Sequence, residues 1–119
     1  TPLHIAARNG HRDVALVLLE RGTDADARTN TQRTPLHVAA DKNNLEVIRL
    51  LLDHNADVHA RNDEQWTPLH IVAQDDHVEA ARLLLDHGAD IEAHEEDGWT
   101  PLHLAAQDNH LDVCRLLID

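Results

Sequence analysis

Histidine is the residue type in this chain most suited to chemistry, and eleven of the 119 residues are His. Imidazole titrates near neutral pH, ligates transition metals and shuttles protons. Four of these residues, His4, His37, His70 and His103, each close the tetrapeptide Thr-Pro-Leu-His, which recurs every 33 residues from Thr1, Thr34, Thr67 and Thr100. Each lies three residues after a threonine, where its ring can bond back to a helix cap as Glu does in a capping box. That position reads as structural. His11, His77 and His110 open second helices, with Asn44 in the same place in the second unit, and read the same way. His54 and His87 are equivalent in adjacent units, and helices packed about 8–10 Å apart hold them too far apart to share a zinc ion. His94, beside Glu95, Glu96 and Asp97, is a loose cation contact at most. No His-x-x-x-His or Cys-x-x-Cys pair is present, so no metal and no cofactor is expected.

Nucleophiles fare no better. Cys114 aligns with Ala15, Ile48 and Ala81 on an apolar stripe and reads as a small core residue. The sequence holds no Gly-rich phosphate loop and no nucleophile elbow, and its carboxylates follow outer faces and loops. No enzymatic activity is expected.

The repeat itself sets the architecture. A fixed period of 33 residues marks a stacked array whose units cannot bury their apolar faces alone. In the second unit, Thr34 to Trp66, Thr34 is an N-cap residue and Pro35 takes the first helical position, where a missing N–H costs nothing. Leu36, Ala39 and Ala40 share one face of a short helix. Asn43, like Gly10, Asp76 and Asn109 elsewhere, is a type that tolerates left-handed backbone and so marks a turn. A second helix carries Val47, Ile48, Leu50, Leu51 and Leu52 inward, with Glu46, Arg49 and Asp53 outside. It ends at Asn55, which matches Gly22 and Gly88. The stretch from Arg61 to Trp66 then reads as an extended, hairpin-like loop.

The pattern Thr-Pro-Leu-His-x-Ala-Ala, a tight turn, Val-x-x-Leu-Leu-Leu and Gly-Ala-Asp-x-x-Ala resembles the ankyrin repeat along the whole chain. The units are 1–33, 34–66, 67–99 and a partial 100–119. The resemblance implies an all-α repeat solenoid of helix-turn-helix units joined by hairpin-like loops. It also implies a concave side formed by loops and first helices, and a His that ties each unit to its neighbour's backbone. Thr34, Pro35, His37, Thr67, Pro68, His70, Thr100, Pro101 and His103 are the structural residues on this reading. Departures stand out. Gln32 and Gln65 replace the loop-tip glycine kept at Gly98, which predicts locally strained tips. Leu16 stands where later units have Arg49, Arg82 and Arg115, which predicts an exposed Leu that something else covers. Val113, Leu116, Leu117 and Ile118 match the interior pattern with nothing after them as a shield. The expectation is a slice of a longer array, behaving as a monomeric module within a larger chain.

Charge is uneven: the net of −12 divides into −1 over residues 1–60 and −11 over residues 61–119. An acidic surface repels phosphate backbones, so no nucleic-acid partner is expected, and a protein partner with a basic segment is. No apolar run is long enough to cross a bilayer. A single cysteine fits a reducing compartment, cytoplasmic or nuclear.

The candidate partner-binding residues follow from equivalent positions. Arg33, Trp66 and Trp99 each precede a Thr cap. The loop tips supply Asn30 and Thr31, then Asp63 and Glu64, then Glu96 and Asp97. First-helix ends supply Arg8, Asp41 and Lys42, then Gln74 and Asp75, then Gln107 and Asp108. The tryptophans either cover their own loop bases or form an amphipathic platform, whose faces attract Lys or Arg. The expected function is a non-catalytic protein–protein interaction module. The alternatives are a spacer stretch of a long array and an engineered binder. Irregularities such as Val72 for Ala and Asn55 for Gly argue against the engineered one.

Overall fold

The computed structural model describes residues 1–118, and Asp119, the last residue of the fourth unit, lies outside them. The described residues form eight short helices and no strand. They pair as α1 (Pro2–Asn9) with α2 (Arg12–Glu20), α3 (Pro35–Asp41) with α4 (Leu45–Asp53), α5 (Pro68–Gln74) with α6 (Val78–Asp86), and α7 (Pro101–Gln107) with α8 (Leu111–Ile118). The odd-numbered helices lie side by side in one row and the even-numbered in a second, giving a slab of 40 × 25 × 22 Å. The all-α repeat stack expected from the tetrapeptide period is the fold observed.

Small residues let the rows approach. Ala6, Ala7, Ala39, Ala40, Ala73 and Ala105 are buried along the first helices, while Leu3, Leu36 and Leu69 plug the space behind them. Ile48, Leu51 and Leu84 do the same from the second helices. Each first helix starts at a threonine whose Oγ1 accepts the N–H of the histidine three residues on, with Pro between them. Turns between paired helices pass through positive φ at Gly10, Asn43, Asp76 and Asn109. The loop tips Gln32 and Gln65 sit at φ 65° and 66°, a left-handed conformation that costs a side-chain-bearing residue about 1–2 kcal/mol.

Two expectations about exposure need correction. Leu16 is half-buried against the core; the exposed apolar side chains of α2 are Val14 and Val17, half of whose surface is open together with Ile5 on α1. The equivalent side chains of later units meet a preceding helix pair, and those of the first unit do not. At the other end Val113 and Leu117 are buried and Leu116 is half-buried, as is Cys114. Only Ile118 at 70 % and Leu111 at 57 % exposure are open to solvent. The shielding comes from the helix behind rather than from the one ahead.

Candidate partner-binding face

The histidine ladder positions this face. The Thr34 N–H donates to Nδ1 of His37 at 3.1 Å, so that nitrogen is the acceptor and Nε2 carries the proton. His37 Nε2 then donates to the carbonyl oxygen of Trp66 at 2.8 Å. The same reach joins His4 to the Arg33 carbonyl at 2.9 Å and His70 to the Trp99 carbonyl at 3.0 Å. Each histidine therefore fixes the residue before the next unit's cap. Burial drives the His37 imidazole down to about 4, with Arg33 and Arg28 adding to the effect and the Trp66 carbonyl opposing it. His70 is lowered too, chiefly by burial, against the pull of the Trp99 carbonyl and Glu95. A ring held neutral accepts and donates at once, which both bonds require.

Each loop closes on itself and on its neighbour. The Thr29, Asn62 and Glu95 N–H groups donate to the Arg33, Trp66 and Trp99 carbonyls at 2.9, 3.0 and 2.9 Å. Between loops, the Asp63 N–H reaches the Thr31 carbonyl at 3.0 Å and the Glu96 N–H the Glu64 carbonyl at 3.1 Å. Arginines clamp the bases: Arg28 Nη1 donates to the Arg61 carbonyl at 2.8 Å, and Arg61 Nη1 to the His94 carbonyl at 2.6 Å. These clamps were invisible as binding or structural residues in the sequence, although both arginines sit at one repeat position.

Three open grooves run along the loop-and-first-helix face. The first has Arg8, Arg33 and Lys42 against the single carboxylate of Asp41. The second, of about 510 Å³, is lined by Arg33, Asp41, Asp63, Glu64, Trp66 and Gln74, with Ile71 among them. The third lies between Trp66 and Trp99, with Gln74, Gln107, Leu104, Asp97 and Glu95. Charge passes from net positive to net negative along the row. Arg33 is partly spent on Asp41, 3.7 Å away. Of the residues anticipated at this face, Asp75, Glu96 and Asp108 are exposed but line none of these grooves. Asn62, Ile71, Glu95 and Leu104 were missed. Each looks like an ordinary loop or helix residue until the repeats are stacked.

Both indoles are half-buried, each tilted against the histidine of the helix that follows it, Trp66 on His70 at 5.9 Å and Trp99 on His103 at 5.8 Å between ring centroids. Other histidines serve helix ends. His54 and His87 turn Nδ1 to the carbonyls of Leu50 and Leu83 at 2.9 and 3.0 Å, capping α4 and α6. Asn44 Nδ2 donates to the Ala7 carbonyl at 2.6 Å, and His110 makes the equivalent contact with Ala73 at 3.2 Å. His77 does not; its Nδ1 is buried without a partner.

A family model for ankyrin repeats, in three copies, matches residues 1–62 and again 55–119. The chain belongs to the ankyrin repeat family. No curated protein matches its sequence. Ankyrin repeats generally mediate protein–protein interaction, and the family is generally non-catalytic. Among the described residues of this ankyrin array no helix is long and apolar enough to cross a membrane. Among the described residues no three His, Cys, Asp or Glu side chains are grouped to hold a metal ion.

Proposed function

We propose that this ankyrin array is a recognition module that docks an extended segment of another protein along its loop-and-first-helix face. The observation that supports this most is the pair of adjoining grooves that share Trp66 as a common wall. The second groove is large enough for a small molecule, but it is open, and polar side chains outnumber apolar ones along it. Such a trough suits a chain that runs across several repeats better than a compact ligand. Backbone bonds hold the loop tips, so Asp63, Glu64 and Asp97 are left to meet a partner. The acidic half favours a partner with basic side chains, and charge of this kind steers association.

The test is a pull-down from a cell extract with the intact array and with the Trp66→Ala/Trp99→Ala variant, each checked for helical circular dichroism. Partners bound through this face lose at least ~2 kcal/mol of affinity in the folded double variant. Equal retention by both proteins would move the interface off this face.

A second reading is a spacer stretch within a longer stack, whose chief contacts are neighbouring repeats. The open Ile5, Val14 and Val17 at one end and Leu111 and Ile118 at the other favour it. Many further in-phase repeats on either side would support that reading over a dedicated recognition module.

A further inference from the structure

The third groove contains a buried acid with no cation beside it. Glu95 is 9 % exposed, yet it lines the open space between Trp66 and Trp99. Its Oε1 accepts two main-chain bonds, from the Asp97 N–H at 2.7 Å and the Trp99 N–H at 2.9 Å. The same turn in the preceding repeat is made by Asn62 Oδ1, which takes the Glu64 and Trp66 N–H groups at 2.9 and 3.0 Å. One repeat earlier, Thr29 Oγ1 takes the Arg33 N–H at 3.1 Å. A neutral oxygen therefore suffices to close this turn. The third unit nevertheless spends a formal negative charge there, and pays for it in desolvation. The nearby arginine, Arg61, is engaged with the His94 and Gln65 carbonyls and forms no ion pair with Glu95. No lysine or arginine lines the groove, while Asp97 adds a second carboxylate.

The geometry points to the space between Trp66 and Trp99 as a subsite for one arginine side chain of the partner, with Glu95 as its counter-ion. This rests on the reading of the face as a recognition surface. The walls suit a planar cation. Indole faces attract guanidinium, neither indole N–H has a hydrogen-bond partner among the described residues, and the Gln74 and Gln107 carboxamides in the lining bring oxygen acceptors. A guanidinium has five N–H donors in a fixed fork and is weakly hydrated. It can meet the free Glu95 oxygen, Asp97 and a carboxamide together. A lysine ammonium gives up a tighter hydration shell and cannot stack, so it binds more weakly.

The two tryptophans give two indole N–H signals, assignable with Trp66→Phe and Trp99→Phe. The intact array, labelled with nitrogen-15, is titrated with the blocked tripeptide acetyl-Gly-Arg-Gly-amide and with its citrulline and lysine counterparts. Both indole signals should shift saturably with arginine, at least tenfold more tightly than with citrulline and more tightly than with lysine. Glu95→Gln, which keeps the Oε1 acceptor and hence the turn, should weaken the arginine peptide about tenfold. Equal binding of arginine and citrulline, no shift at either indole, or an unchanged affinity in Glu95→Gln would each overturn the assignment.

Selection of a random peptide library on the intact array separates this from the broader reading. Peptides that bind the loop face without a basic residue, and with indifference to Glu95→Gln, would sink the arginine subsite while leaving the face intact. Peptides confined to the α4–α6 side, or no selected peptides at all, would count against the face itself. Arginine-bearing peptides that shift both indoles would support both.

Discussion

His37 of the second repeat holds the carbonyl oxygen of Trp66, 2.8 Å from its Nε2, so a buried ring at the start of one unit fixes the main chain beneath the groove-lining indole at its end, just before the next unit's cap. The residue that joins the stack also aims the side chain proposed to meet the partner.

Acid should loosen this joint. The His37 pKa is lowered to about 4, mainly by burial, against about 6.5 in the unfolded chain. The unfolded state therefore binds the proton first. Stability is complete above about pH 6.5 and is lost as pH falls toward 4, by about 3 kcal/mol for this group. His70 acts in the same direction. Protonation also relieves the net charge of −12, which opposes the trend. Urea midpoints at pH 7.5, 6.0 and 5.0 should fall in that order; a midpoint that rises on acidification would mean that charge relief dominates.

Removing the ring should cost more in the middle of the stack than at its end. His37→Ala leaves the Trp66 carbonyl without its donor and opens a cavity where the side chain is wholly buried, a loss of about 2–4 kcal/mol. His103 is exposed and, among the described residues, its Nε2 meets no carbonyl. His103→Ala should cost about 1 kcal/mol, the value of a cap contact. Denaturant titrations of the two variants decide it, and equal losses would contradict the ladder.

Glutamine is a poor occupant of a left-handed tip. Gln65 has φ 66° where Gly98 has φ 85° with nothing within 4 Å of an added Cβ. Gln65→Gly trades about 1–2 kcal/mol of strain for about 0.5–1 kcal/mol of lost chain restriction. A net gain of about 0.5–1 kcal/mol is expected, and Gly98→Ala should lose a similar amount. Thermal melts that order the two variants the other way would show that the tip is not strained.

Arg61 ties two loops together, and its loss should appear in motion more than in global stability. With Arg61→Ala the His94 carbonyl loses its 2.6 Å donor, and the exposed group turns to water at a net cost of about 1 kcal/mol. Amide exchange at Glu96, whose N–H donates to the Glu64 carbonyl, should quicken about fivefold, with the core amides of α4 unchanged. Quickening spread evenly over the whole array would indicate a general destabilisation instead.

The repeat period, the helix pairs and every turn residue with positive φ were legible in the sequence, because each depends on local chemistry repeated in phase. What remained hidden depends on neighbours in space. Glu95 reads as one more loop acid beside Glu96 and Asp97, and only the folded turn shows its oxygen taking two main-chain N–H groups. Leu16 and Val14 are equally apolar on paper. Leu16 packs half-buried against the core while half of Val14 stays open, a difference made by neighbours in space and not by residue type. Arg33 was anticipated as a partner-binding residue from its place before a Thr cap, and the ion pair with Asp41 that shares its charge was not.

The loop tips are linked to one another through main-chain atoms alone, Asp63 to Thr31 and Glu96 to Glu64. Side-chain identity at those points carries almost no responsibility for holding the array together. Mutation can therefore rewrite what these positions read while the framework stays unchanged, so new specificities are reachable by single steps that selection for folding would not oppose.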